Sequence, residues 1–274
     1  MTTSKPMAKV LAGAYLEEDN KIDNNSTSSF LTQKSRAIMK IKLLCMLAIA
    51  TLSFAFVNGQ TIDEIVAKHV EAMGGADKLK TVNTILTERV LAVQGMEIPS
   101  KSVIVVGKSM RSESTVMGNS MVQVVQGEKG WKIMPAMMGG TGEPEDMTAE
   151  EIRPLLGQLD PFGALYNYTE KGNKVELVGK EKVDKKDMFH FKITANGVVM
   201  DEYLDASTYL VYKVTSNVGG QEGELVFSGY EVIDGIKMAN TIDITSPMGA
   251  FTMITNKTVI NGPVDEQIFA KPAK

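Results

Sequence analysis

"KVELVGKEKV" (residues 174–183), "DMFHFKIT" (187–194) and "VVMDEYL" (198–204) alternate apolar and polar residues, with three-residue gaps between them. A period of two marks β-strands with one face buried. Four more runs follow in the same manner: "YLVYKVTS" (209–216), "GELVFSGYEV" (223–232), "IKMANTIDIT" (236–245) and "FTMITNKTVI" (251–260). The gaps leave no room for a crossover helix, so these seven runs are expected to be antiparallel neighbours. Asp234-Gly235, between two of them, is the dipeptide of a tight hairpin turn.

Working back toward the N-terminus, the same period recurs in "TILTERVLAVQ" (84–94), "KSVIVVG" (101–107), "RSESTVM" (111–117), "MVQVVQG" (121–127) and "GWKIMP" (130–135). The pattern predicts about ten or eleven strands, at the spacing of a sandwich or barrel. Two segments break it. "TIDEIVAKHVEAMGG" (61–75) places Ile62, Ile65, Val66, His69, Val70 and Met73 on one helical face. Thr61 and Glu64 form a capping box, and Gly74 or Gly75 ends the helix. Residues 139–166, "GGTGEPEDMTAEEIRPLLGQLDPFGALY", carry a second capping box at Thr148 and Glu151. This helical insert cannot join a sheet, so it is expected to pack on one face or cover one end. No linker divides residues 60–274, which read as a single domain.

Residues 39–60, "MKIKLLCMLAIATLSFAFVNGQ", have the layout of a secretory signal peptide. Lys40 and Lys42 precede an apolar run from Leu43 to Phe56. Val57 and Gly59 suit the −3 and −1 positions of a peptidase site. The alternative is a membrane-anchoring helix, but the run is shorter than the roughly 17–25 residues a span requires. Cys45 opens the apolar run, whereas a lipidated cysteine would close it. Residues 1–38 are polar and aperiodic, and read as a disordered extension or a misassigned start. The expected location is periplasmic, with 39–59 removed on export.

Formal net charge is −4, and beyond residue 59 the balance is −7, which argues against a nucleic-acid partner. Cys45 is the only cysteine, and His69 and His190 are the only histidines, so the usual zinc sets are missing. No phosphate loop, dinucleotide fingerprint or nucleophile elbow is present. No catalytic residue, metal or cofactor is assigned, and the chain reads as a non-enzyme. What remains is apolar, including 18 methionines, a side chain suited to irregular gaps and adaptable surfaces. Alternation puts Trp131 and Ile133 on one face of their strand, with Lys132 and Met134 on the other. Met137 and Met138 follow in the adjoining loop. The insert offers Ile152, Leu155, Leu156, Leu159, Phe162 and Leu165. Together these ten residues are the candidate apolar cavity and lid, with Trp131 within reach of the cavity and the insert, Thr148 to Tyr166, lying over that cavity.

Several of these stretches resemble the LolA/LolB-like carriers, the outer-membrane lipoprotein-sorting proteins of the periplasm. "GKSMRSES" followed by "VVQGEKGWKIMP" resembles their arginine strand, glycine turn, tryptophan strand and proline, here Arg111, Gly127, Trp131 and Pro135. "DEYLDASTYLVYKV" resembles a strand, Leu-Asp turn and return strand, at Leu204, Asp205 and Thr208. "GYEVIDGIKM" resembles the next hairpin, and "VDEQIFAKP" the ending, with Phe269 and Pro272. The "IVAKHVEAMGG" helix is similar to that of Bacteroidetes-like members, some of them fused to zinc peptidases. The likeness spans nearly all of 61–272. It implies an unclosed, curved antiparallel half-barrel with helices on its concave face, binding acyl chains of lipoproteins or other lipid-like ligands. It also implies an inner- or outer-membrane protein as a further partner. The carriers' lid-gating arginine has no match, since Lys108, followed by Ser109 rather than proline, stands nearest. The alternative is a non-catalytic interaction or sensor module on the same fold, accessory to a peptidase or an envelope-stress system.

Overall fold

A computed structural model describes residues 60–273 except Met248, and does not describe the side chain of Val218. The expected signal peptide at 39–59 and the stretch 1–38 lie outside the described residues. The described part opens with α1 (Ile62–Met73), held at its start by the Thr61/Glu64 capping box. Ile65, Val66, His69 and Met73 are buried, and each large apolar side chain so placed contributes roughly 1.5–3 kcal/mol. The helix ends at Gly74, with φ 128°. A side chain there would run into the carbonyl oxygen of Gly235, so this glycine lets the helix end press against a hairpin. The short α2 (Ala76–Leu79) follows.

Thirteen strands then form one sheet: β1 (Thr84–Val93), β2 (Met96–Val105), β3 (Ser109–Val116), β4 (Asn119–Gln126), β5 (Lys129–Ile133), β6 (Glu145–Asp146), β7 (Lys174–Val183), β8 (Lys186–Ala195), β9 (Val198–Asp205), β10 (Val211–Val218), β11 (Gln221–Ile233), β12 (Ile236–Ser246) and β13 (Gly249–Ile260). Their spatial order is β6-β5-β4-β3-β2-β1-β13-β12-β11-β10-β9-β8-β7, and neighbouring strands pair antiparallel. The sheet is therefore two meanders joined where β1 meets β13. The edge strands β6 and β7 do not pair, so it is not closed. The fold is the expected mainly-β, unclosed antiparallel sheet. The strand count of ten or eleven was low. Every quoted run is a separate strand, and Glu145–Asp146, too short for a visible period, adds another. Asp234-Gly235 makes the expected hairpin, with Ile233 opposite Ile236.

The insert runs from β6 to β7, hence from one edge of the sheet to the other. It comprises α3 (Ala149–Ile152), a 3-10 helix (Arg153–Leu159) and a string of turns to residue 172. Thr148 and Glu151 cap it as expected. Insert and α1 pack on the same side, here the helix-bearing face. Ile152 and Leu159 pack with Met110 and Val125. Phe162 and Tyr166 pack with Met73, Leu79 and Ile85, and Leu165 with Ile65, Phe189, Phe191 and Leu204. The Gly107 amide donates to the Leu159 carbonyl at 2.8 Å, tying the insert to the β2–β3 turn.

Cross-strand registers identify the two faces. Ile260, Ile85, Ile104, Met110, Val125 and Gly130 lie side by side across six strands and bear the helices. Val259, Leu86, Val103, Arg111, Val124 and Trp131 form the adjacent row, which points the other way. That opposite face is crossed by the C-terminal segment, ending in a 3-10 helix at Glu266–Phe269. Phe269 packs with Val122, Val124 and Trp131.

This arrangement corrects one expectation. Trp131 and Ile133 do share a face, but the insert lies on the other. Lys132, not Trp131, meets the insert, through an ion pair with Glu151. Gly130 leaves the room: a Cβ there would sit 3.3 Å from Met147 Sδ and 3.4 Å from Ile152 Cγ1. The indole is sealed instead by the C-terminal segment.

Candidate ligand-binding face

The candidate residues fall into three places. Ile152, Leu155, Leu156, Leu159, Phe162 and Leu165 are together on the helix-bearing face, most of them packed into its core. Trp131, 4% exposed, and the half-buried Ile133 lie on the opposite face. Met137 and Met138 are 56% and 46% exposed, in a 3-10 turn between β5 and β6.

A second apolar surface emerges beyond the reach of α1 and the insert. Phe191, Glu202, Val214, Leu225, Ile244 and Phe251 make one cross-strand row from β8 to β13. Phe191 is fully buried in the core under α1, so the whole row is on the helix-bearing face. A neighbouring row carries Phe227, Ile242, Met253, Leu91 and Ile98. From Val214 outward these side chains are only half-buried. None of them from Leu225 onward, nor any in the second row, belongs to the four buried clusters formed among the described residues. A half-buried apolar tract left outside the packed clusters of a sheet face is the kind of surface that binds apolar partners. Sequence reasoning passed over it because β1 has apolar residues on both faces. Ile85 and Leu91 alternate with Leu86 and Val90, and strand pairing is needed to say which group points where.

Several ionisable groups sit within this face. Glu202 is 4% exposed, and burial pushes its carboxyl up to about 7. The phenol of Tyr230 is also raised, first by burial and then by the nearby Glu202 charge; it donates to the Val211 carbonyl at 2.7 Å. On β1 the helix-bearing face reads Ile85, Thr87, Arg89, Leu91. Thr87 Oγ1 and Ser102 Oγ are 2.7 Å apart. Arg89 stands between Ser100 on β2 and Thr255 on β13, and burial lowers its basicity.

The opposite face of β7–β11 is polar. His190 stacks on Tyr203 and lies 2.7 Å from Asp201 and 2.8 Å from Glu181. Alternation against Phe189 and Phe191 places it there, held between two carboxylates. His69 is buried on α1, its Nδ1 2.7 Å from the Tyr209 carbonyl, which fixes Nδ1 as the donor. Burial lowers its pKa. Among the described residues no three metal-ligating side chains converge.

No family model and no curated protein matches the chain. Solved structures do. The chain is similar to a LolA superfamily protein from Nitrosomonas europaea, with TM-score 0.55, 13% identity, and coverage of 78% of this chain and 99% of that one. It is similar to a DUF1329 family protein from Desulfovibrio piger, with TM-score 0.52 and 16% identity over 77% of this chain and 98% of the other. A putative outer membrane lipoprotein-sorting protein domain from Vibrio parahaemolyticus aligns at TM-score 0.50 and 17% identity, over 76% and 95%. At these identities the likeness is one of architecture: the chain has the LolA-like fold.

Proposed function

We propose that this chain is an exported, non-catalytic carrier that holds the acyl chain of a lipid-like ligand on the helix-bearing face of its sheet. The observation that carries the reading is the half-buried apolar tract from Leu91 and Ile98 to Leu225 and Phe227. It continues the packed core beyond the helices, so an aliphatic chain laid there would complete the burial. Each buried methylene is worth about 0.8 kcal/mol, so a fourteen-carbon chain gains roughly 11 kcal/mol before the cost of immobilisation. The leader at 39–59 supports delivery to the periplasm, where such ligands need escort through water. Lipoprotein acyl chains are one cargo class, in keeping with a fold shared with a lipoprotein-sorting domain.

Native mass spectrometry of protein purified from the periplasm, followed by lipid extraction, tests the reading. A stoichiometric acyl ligand is the expected result. A ligand-free protein with a stable protein partner would instead support an interaction module on the same fold.

A further inference from the structure

Arg89 is the most unusual residue on the proposed binding face. Its Nε is shut off from solvent and has no hydrogen-bond partner. Its guanidinium makes no ion pair with any described residue. The residue as a whole is half-buried, and a cation partly withdrawn from water with a dry, unpartnered Nε is stabilised by an anionic partner. The carboxylates of the adjoining strands do not serve. Glu88 neighbours Arg89 in β1 and so points to the other face, while Glu97 pairs with Ala92 and does the same. β13 contains no acidic residue. What surrounds Arg89 on its own face is hydroxyl: Ser100 and Ser114 in its cross-strand row, and Thr255 on the other side. Ser100 and Ser114 are themselves buried. One step further along β1, Leu91 begins the apolar tract.

We infer that Arg89 is the anchor for the carboxylate of a fatty acid, whose chain runs from the hydroxyl belt outward over Leu91 and Met253. One unpaired guanidinium neutralises one negative charge, which fits a carboxylate better than a doubly charged phosphate monoester. The planar fork can bond both carboxylate oxygens, and the serine and threonine hydroxyls can donate to the remaining lone pairs. This inference rests on the carrier reading and narrows its ligand to a single-chain acid.

The test compares dodecanoate with 1-dodecanol below their aggregation limits at pH 8, using calorimetry on protein expressed from the full chain. Wild type should bind the acid about tenfold to a hundredfold more tightly than the alcohol, the usual worth of a hydrogen bond to a charged group. Arg89→Met should erase that ratio, leave dodecanol affinity unchanged, and keep or raise the melting temperature. Arg89→Lys should retain part of the preference. Equal binding of acid and alcohol by wild type overturns the anchor but leaves the carrier reading standing. So does an Arg89→Met variant of wild-type melting temperature that loses both ligands alike. If neither compound binds wild type, the carrier reading falls and the anchor falls with it.

Discussion

The indole Nε1 of Trp131 donates a 2.8 Å hydrogen bond to the carbonyl oxygen of Phe269, joining residues 138 positions apart. Arg111 lies over the same indole at 5.7 Å and donates to the Ile268 carbonyl at 3.0 Å. The C-terminal segment is thus fastened to the face opposite α1 and the insert. Phe269→Ala should cost about 3–5 kcal/mol, the usual range for emptying a buried aromatic site. It should also shift tryptophan emission to the red. Adding dodecanoate to wild type should leave that emission unchanged, because ligand and indole are on opposite faces. Chemical denaturation and a fluorescence titration check both, and a ligand-dependent shift would place the ligand near Trp131.

Rim and core residues of the helix-bearing face should respond differently to substitution. Ile85 is 1% exposed, so Ile85→Ala should destabilise by about 2–5 kcal/mol. Leu225 is half-buried and outside the packed clusters. Leu225→Gln should change stability by about 1 kcal/mol or less and weaken acyl-ligand binding at least tenfold. Strong destabilisation without loss of binding would move the ligand site elsewhere.

Glu202 should make stability fall with rising pH. Its carboxyl is raised in the fold to about 7 from a reference of 4.5. Between those values the native state holds a proton that the unfolded state has released, so stability declines across that window and levels off above it. The loss is on the order of 3 kcal/mol. Glu202→Gln should match wild type near pH 4.5 and exceed it at pH 8. Melting curves at the two pH values decide, and a variant with no gain at pH 8 would contradict the buried carboxylic acid.

His69 should act in the opposite sense. Burial lowers its folded pKa below the reference of 6.5. As pH falls through 6.5 the unfolded chain takes up a proton that the folded ring refuses, so stability present above that point is lost below it. His69→Gln should flatten the difference between pH 7 and pH 5 relative to wild type. An unchanged slope would mean that the imidazole titrates freely in the fold.

Export should leave a mature protein beginning at Gln60, since Val57 and Gly59 close an apolar run of signal length. N-terminal sequencing of periplasmic protein checks this. Retention of Leu43 to Phe56 would favour the membrane-anchor alternative.

Local chemistry made much of the architecture readable in advance. Both capping boxes and the Asp234-Gly235 hairpin are set by residues within a few positions of each other. The Leu-Asp turn also forms locally, with Asp205 Oδ1 accepting from the amides of Ser207 at 2.9 Å and Thr208 at 3.0 Å. The side of the sheet that Trp131 occupies was not readable. It depends on which distant segment reaches β5 first on each face, and Gly130 and Lys132 gave no clear sign that theirs was the helix side. Arg89 was hidden for a related reason. In "TILTERVLAVQ" it looks like one of two solvated charges, and only the registers with Ser100 and Thr255 separate it from Glu88.

The route of the insert has a mechanical consequence. A door turns on one hinge, but this segment is built into the sheet at both edges, at β6 and at β7, like a string on a bow. It cannot swing away as a free flap. Spreading β6 from β7 must draw the string out or lift Ile152, Leu159 and Leu165 from their seats. The spacing of the two sheet edges and the packing of the insert are therefore one coordinate, and whatever wedges the sheet wider loosens the insert in the same movement.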